Sequence, residues 1–222
     1  MSESKSAPID FAADKARALK LTPVSRETEK RLAGFVELLL LWQRKTNLVA
    51  NSTLPQIWSR HIADSLQLLG LAPDAKVWID LGSGGGFPGV PLAGALAETG
   101  GAMIHLVESN GKKAAFLREA VRKLGLPAEV HQQRIENIGE SFSGKADVVT
   151  ARALAPLKVL CGYAFRFIEQ GALGLFPKGQ DIEAELTEAA KYWKLEAEQV
   201  SSLVNPEGRI VVIRGLVRRN KP

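Results

Sequence analysis

A chain of 222 residues, 45% hydrophobic and 24% charged, has the make-up of one α/β domain with a small appendage rather than of a disordered polymer. No apolar run approaches the roughly 20 residues that span a bilayer, and the single cysteine, Cys161, excludes an intramolecular disulfide framework and a multi-cysteine metal site. Lys and Arg outnumber Asp and Glu by 29 to 24, and the resulting net charge of +5 is compatible with a polyanionic partner without requiring one.

Met1–Asp10 carries neither an apolar core nor a cleavage-site pattern, so no signal peptide is expected, and a soluble cytoplasmic protein is. Up to about residue 20 the chain is polar and rich in Ala and Lys, which predicts a frayed arm or a loose helix. Ser25 is a plausible N-cap, and Leu32, Phe35, Val36, Leu39 and Trp42 follow at helical spacing. A second helix is expected from about Pro55 to Leu69, with Ile57, Trp58, Ile62, Leu66 and Leu69 on one face, before Gly70 and Pro73 break the chain. Residues 1–72 thus read as an arm with a helical extension, and 73–222 as the main domain. There the rhythm changes: apolar segments Lys76–Leu81, Ala102–Glu108, Ala128–Gln133, Ala146–Ala151 and Gly171–Phe176 alternate with helical stretches, the pattern of a parallel sheet covered on both faces. The last two segments, Leu195–Val204 and Arg209–Val217, are joined only by Asn205–Gly208. That is too short for a parallel crossover and predicts an antiparallel hairpin. The outline is α/β, a class I (Rossmann-like) methyltransferase fold.

The most informative stretch is Asp80-Leu81-Gly82-Ser83-Gly84-Gly85-Gly86-Phe87-Pro88-Gly89, an acid at a strand end followed by a glycine turn. Gly84, Gly86 and Gly89 also satisfy the dinucleotide pattern G-x-G-x-x-G, a weak signal alone. Glu108, about 20 residues beyond the loop, could accept hydrogen bonds from a ribose in either ligand. Asp80 tips the balance, because a carboxylate there repels a pyrophosphate but suits the ammonium and sulfonium part of S-adenosylmethionine.

The fourth strand ends in Val149-Thr150-Ala151-Arg152-Ala153. It has no Asn/Asp-Pro-Pro-aromatic motif to cradle an exocyclic amine and no Pro-Cys nucleophile. Cys161 sits among apolar neighbours and reads as a small buried hydrophobe. Ribose 2′-O transfer would favour an acid or lysine where Arg152 stands. A nucleophile with its lone pair already available, such as guanine N7, remains: it needs alignment and shielding from water but no general base. This permits N7 without identifying it.

With these residues in view the chain resembles the RsmG (GidB) family of 16S ribosomal RNA guanine-N7 methyltransferases over roughly Leu39 to Arg218. The resemblance is carried by Trp42-Gln43-Arg44-Lys45-Thr46-Asn47-Leu48, Arg60-His61-Ile62-Ala63-Asp64-Ser65, the glycine loop, Glu108-Ser109-Asn110-Gly111-Lys112-Lys113, Arg134-Ile135-Glu136, Ala151-Arg152-Ala153 and Pro177-Lys178-Gly179. It implies that Gly82, Gly84, Phe87, Ile135 and Glu136 contact the donor, with Asp80 and Glu108 supporting its amino-acid and ribose ends. Arg152 would lie in the site, with Lys178, as a catalytic group. Arg60, His61 and Lys178 would face the RNA or the target base. It further implies S-adenosylmethionine as donor, no metal, 16S RNA in the small subunit or a precursor as partner, no membrane, and a monomer. Ala151 and Pro177 depart from the family's serine and aliphatic residue, which puts local geometry in question.

Plainer readings stand beside these. Arg60, His61 and Asp64 fall within one helical turn and could be a surface network. Lys112, Lys113, Arg118, Arg122 and Lys123 share the polar side of one helix, a solvated face for most of them. Trp42 and Trp58 lie on apolar faces and suit the core. The tail Arg218-Arg219-Asn220-Lys221 suits phosphate contact and a disordered basic end equally. A non-catalytic ribosome-assembly factor and a nicotinamide oxidoreductase are the competing functions.

Overall fold

The computed structural model describes residues 11–219, the side chains of 140 and 141 apart. Its seven strands are β1 (Val77–Leu81), β2 (Met103–Val107), β3 (Ala128–His131), β4 (Val148–Thr150), β5 (Leu173–Lys178), β6 (Trp193–Ser201) and β7 (Arg209–Arg218). They form one sheet in the order β3-β2-β1-β4-β5-β7-β6. β1 to β5 pair in parallel, and β7 runs antiparallel to both β5 and β6, with a register shift at Glu196/Ala197. The expected topology holds, with two boundaries moved. β3 stops at His131, where the Gln133 amide turns back to the His131 carbonyl. β6 stops at Ser201, because Ser202 Oγ accepts from the amides of Val204 and Asn205 and bends the chain into the hairpin turn.

The two-residue period of the strands separates two cores. Trp78, Ile104, Leu106, Ile210 and Val212 share one core with α4 (Gly89–Ala95), α5 (Gly111–Leu124) and the segment 57–68. Ile79, Val107, Val149, Val211 and Ile213 face α6 (Ile135–Ser141), α7 (Leu157–Glu169) and α8 (Ile182–Ala190). Cys161 on α7 is fully buried in the second core, and burial pushes its thiol up to about 12, so it behaves as a hydrophobe.

The described chain opens on two helices, α1 (Ala12–Leu21) and α2 (Arg26–Gln43), the latter capped by Ser25, whose Oγ accepts from the Thr28 amide at 3.1 Å. Leu32, Phe35, Val36 and Leu39 enter the same core as Trp78 and Ile104, so the extension covers the sheet rather than standing apart from it. Trp58 is buried there, and Trp42 packs against it while its Nε1 donates to Glu119 at 2.9 Å.

Two expectations are corrected here. From Phe11 onward the N-terminal arm is not frayed: Asp14 of α1 is 8% exposed, and its Oδ2 accepts from the amides of Trp58 (2.8 Å) and Ser59 (3.2 Å). Residues 1–10, and with them the reading of a missing signal peptide, lie outside the described part. Nor is 55–69 one α-helix. It runs as a 3-10 turn (Asn51–Gln56), a π-helical turn (Trp58–Ala63), α3 (Asp64–Leu66) and a second 3-10 turn (Gln67–Leu71). The cause is local. A continuous helix would aim the Trp58 and Ser59 amides at Leu54 and Pro55, but Asp14 takes them instead, and Pro55 offers no amide of its own. Asp14→Ala is therefore expected to cost about 2–4 kcal/mol by orphaning buried amides. That corresponds to a melting temperature lower by roughly 5–15 °C in thermal unfolding. An unchanged value would contradict the docking. Among the described residues, no helix is long and apolar enough to cross a membrane.

Candidate active site

The strand order reverses between β1 and β4, so the loops after these strands open onto the crevice where α/β sheets bind ligands. Asp80, at the end of β1, is fully buried. Its Oδ2 accepts from the Gly89 amide at 3.1 Å, which ties the glycine loop to the start of α4, while Oδ1 has no described partner. Burial raises its pKa to about 6. Asp80 thus sits beneath the loop, outside the lining of either cleft, and holds the loop through Gly89.

Above it lies a cleft of about 400 Å³, lined among others by Leu48, Gly82, Gly84, Phe87, Glu108, Lys113, Ile135, Arg152 and Leu154. Gly84 takes φ +54°, and an added Cβ would meet only the Gly82 carbonyl oxygen, at 3.7 Å, so its exposed backbone is open to a ligand. Gly85 serves a different need: a Cβ there would stand 2.6 Å from the Leu48 carbonyl oxygen, and the close approach brings Leu48–Ala50 of the extension to the cleft rim. Glu108, 9% exposed at the end of β2, accepts from the amides of Gly84 (2.9 Å) and Asn110 (2.6 Å). Each oxygen keeps a second lone pair that a ligand hydroxyl can use.

Arg152 follows β4 and forms one wall. Its Nη1 donates to Asp64 Oδ2 and to the Arg60 carbonyl, both at 3.3 Å. Its Nη2 lies 2.7 Å from His61 Nδ1, and the guanidinium stands 5.0 Å over the Phe87 ring. An arginine can only donate, so His61 Nδ1 is the acceptor and the ring proton sits on Nε2, 2.8 Å from Thr53 Oγ1. The His61 ring also packs on Phe87, 4.9 Å between centroids. Burial first, then the charges of Arg152 and Arg60, pull the His61 pKa down to about 3. Asp64 is raised by burial even though Arg152 opposes the shift.

A second cleft, of about 870 Å³, adjoins the first across His61, Arg152 and Ala153, which line both. Its walls carry Arg17, Arg60, Lys178 and Arg209 besides Arg152, against Asp64, Glu185 and Glu207. Ala153, between the clefts, is the described non-glycine residue at positive φ, +51°. A left-handed alanine directly after Arg152 turns the chain away while the guanidinium stays in the wall.

The profile of the family described as GidB, rRNA small subunit methyltransferase G, matches residues 28–217. The chain belongs to this family. Proteins called Ribosomal RNA small subunit methyltransferase G from Bradyrhizobium sp. strains BTAi1 and ORS 278 are 64% and 60% identical to it, over 95% and 98% of this chain and the same shares of theirs. Among solved structures, a Podospora anserina methyltransferase bound to S-adenosylhomocysteine (SAH) has a TM-score of 0.61 at 14% identity, covering 95% of this chain and 98% of its own. A Bacillus cereus O-methyltransferase in complex with SAH reaches 0.59 at 15% identity, covering 91% and 97%. At such identities these two share the fold, that of class I methyltransferases. This member of the GidB family is accordingly an S-adenosylmethionine-dependent methyltransferase. Its first cleft suits the donor: a carboxylate with spare lone pairs at one side, bare glycine backbone in the floor, and apolar Leu48, Ile135 and Leu154 around it.

Of the residues singled out in the sequence, Gly82, Gly84, Phe87, Glu108, Ile135 and Arg152 meet in the first cleft. Glu136 does not: it is exposed, accepts from the Tyr163 hydroxyl at 3.3 Å, and lies outside the lining. Lys178 lines the second cleft, yet its Nζ is held by Glu185 (2.6 Å) and the Ala155 carbonyl (2.9 Å), which ties down the cation expected to reach the reaction. Arg60 is exposed on that cleft, whereas His61 is 9% exposed and engaged at both nitrogens, an internal brace instead of a surface contact. Asp64 pairs with Arg152 across the fold, so the Arg60, His61 and Asp64 group is no mere surface network. Lys113 is the exception on the polar side of α5, since it lines the first cleft. Arg218 stacks over Trp193 and the Arg219 amide bonds to the Tyr192 carbonyl, while Asn220 and Lys221 lie outside the described residues. The sequence reading missed Leu48–Ala50, Leu154, Arg17 and Arg209.

A neutral His61 carries a pH signature. Its pKa in the fold, about 3, is below its ordinary 6.5, so its contribution to stability is present above 6.5 and is lost as pH falls toward 3. Asp80, raised to about 6, works in the opposite sense, favouring the folded state as it protonates below that value. His61→Gln isolates the first effect. It is expected to flatten the acid loss of thermal stability between pH 6.5 and 3, and superimposable curves for the two proteins would contradict the assignment.

Proposed function

We propose that this methyltransferase modifies N7 of a guanine in 16S ribosomal RNA, the donor seated in the cleft of Glu108 and the target base entering from the cleft of Arg60 and Arg209. When bound, S-adenosylmethionine would supply a sulfonium methyl for a lone pair on the RNA to attack, the carbon–sulfur bond breaking with its electrons left on S-adenosylhomocysteine. Guanine N7 has such a pair and gives up no proton.

The observation that carries the reading is the state of the groups around Arg152. His61 is committed at both nitrogens, Asp64 is paired with Arg152, and Glu185 holds Lys178 and the Leu157 amide. None of these three is placed to take a proton from a nucleophile, which suits an atom that needs no base. The fixed guanidinium and the Phe87 ring would align the reacting partners and keep water out where the clefts meet. The cationic surplus of the second cleft suits a phosphate backbone, with Arg60 and Arg209 positioning the RNA. Residues 1–72 are read as an N-terminal arm and helical extension supplying part of that cleft through Arg17 and Arg60, and 73–222 as the S-adenosylmethionine-dependent methyltransferase domain. The protein is read as a cytoplasmic monomer acting on the small subunit or a precursor of it.

The test is transfer of labelled methyl from S-adenosylmethionine to naked 16S RNA, precursor particles and small subunits from a strain lacking its own enzyme. Label in 16S RNA is expected from at least one of the three. Donor binding without transfer to any of them would favour the non-catalytic assembly factor.

A further inference from the structure

At the edge of the sheet, outside the lining of either cleft although the His131 carbonyl accepts from the Glu108 amide, three side chains converge that methyl transfer does not use. Parallel pairing sets His105 of β2 against Glu129 of β3 and Val107 against His131. The strand period then places His105, Glu129 and His131 on one face. His105 Nδ1 and His131 Nε2 are 2.9 Å apart, and Glu129 Oε2 is 3.8 Å from the first and 3.9 Å from the second. Three atoms at these separations lie on a circle of radius about 2.1 Å, the bond length of zinc to imidazole nitrogen and carboxylate oxygen.

We propose that His105, Glu129 and His131 form a binding site for a divalent transition ion of the zinc class. Two imidazoles and one carboxylate are a ligand set that zinc favours and that magnesium and calcium, which prefer oxygen alone, do not. An ion at the centre of that circle is coplanar with the three atoms, so a tetrahedral shell with a water on the exposed Glu129 side requires the two nitrogens to part and Glu129 to close in by about half an ångström each. The single cysteine excludes thiolate-rich sites but has no bearing on this one. The His105 ring is held edge-on to Phe142 at 4.8 Å, so one ligand is already oriented. β3 pairs with β2 alone, and an ion bridging His105 to Glu129 and His131 would fasten this edge strand to its neighbour. The ion's role is structural, and neither cleft includes these residues.

The experiment uses the untagged full chain, stripped with a chelator and titrated with zinc chloride by calorimetry, with cobalt(II) as the visible probe. One equivalent of zinc is expected to bind and raise the melting temperature by several degrees. Since even partners outside the ligand shell cost 10–100-fold in metal affinity, His131→Gln and the exposed Glu129→Gln should each weaken zinc binding by at least about 10-fold. Unchanged far-ultraviolet dichroism of both variants would show that the fold is kept. No saturable binding up to about 100 μM, or equal affinity in the wild type and both variants, would overturn the proposal.

Discussion

Arg152→Ala is expected to lower methyl transfer by about 10²–10³-fold, the loss typical when one preorganised charged donor leaves a reaction site. The side chain braces Asp64, His61 and the Arg60 carbonyl at once and lies in the wall common to both clefts. Removing it also leaves the Asp64 carboxylate without its cation, a change that costs about 3–5 kcal/mol in well-buried pairs. Asp64, partly exposed at 17% of its side chain, should sit at the lower end of that range. Arg152→Lys separates the two effects. A lysine keeps the charge and can pair with Asp64, but it lacks the planar fork that reaches His61 as well. It should recover most of the stability and little of the turnover. Normal turnover in Arg152→Lys would remove the fork from the mechanism.

Glu108→Ala should weaken the donor and leave the second cleft untouched. Its two oxygens hold the amides of Gly84 and Asn110, and with them the floor of the donor cleft and the cap of α5. The second lone pair on each oxygen can accept from one ribose hydroxyl of the donor, and two such charge-assisted bonds at about 1.5–3 kcal/mol each correspond to a donor affinity lower by roughly 10²–10⁴-fold. The KM for S-adenosylmethionine should rise while RNA affinity stays unchanged. Glu108→Gln, which can still accept one amide, should fall between. Calorimetric titration with S-adenosylhomocysteine reads this directly, and equal affinities for wild type and Glu108→Ala would place the donor elsewhere.

The sheet was legible because its strands are short apolar runs separated by helical periodicity, and the hairpin because Asn205–Gly208 allows no crossover. The donor loop was legible because glycines and an acid at a strand end have few other uses. What escaped depends on contacts distant in sequence. Nothing near Asp14 marks it as the partner of amides 44 and 45 residues away, so both the docked α1 and the broken run from Asn51 to Leu71 were invisible. Lys113 looked like its basic neighbours on α5, and only the path of the glycine loop separates it from them. Lys178, at the end of β5, read as an available cation because the Glu185 that holds it reaches back from α8. Asp80 was recognised as important, but its burial beneath the loop follows from the Gly89 contact, which no spacing rule encodes.

The central claim concerns which atom receives the methyl group. Digestion of the labelled 16S RNA to nucleosides, followed by chromatography against methylated standards, tests it most directly. The arrangement around Arg152 predicts label in 7-methylguanosine and in no other nucleoside. Label in a 2′-O-methyl or exocyclic N-methyl nucleoside would require a proton acceptor that His61, Asp64 and Glu185 do not provide, and would contradict it.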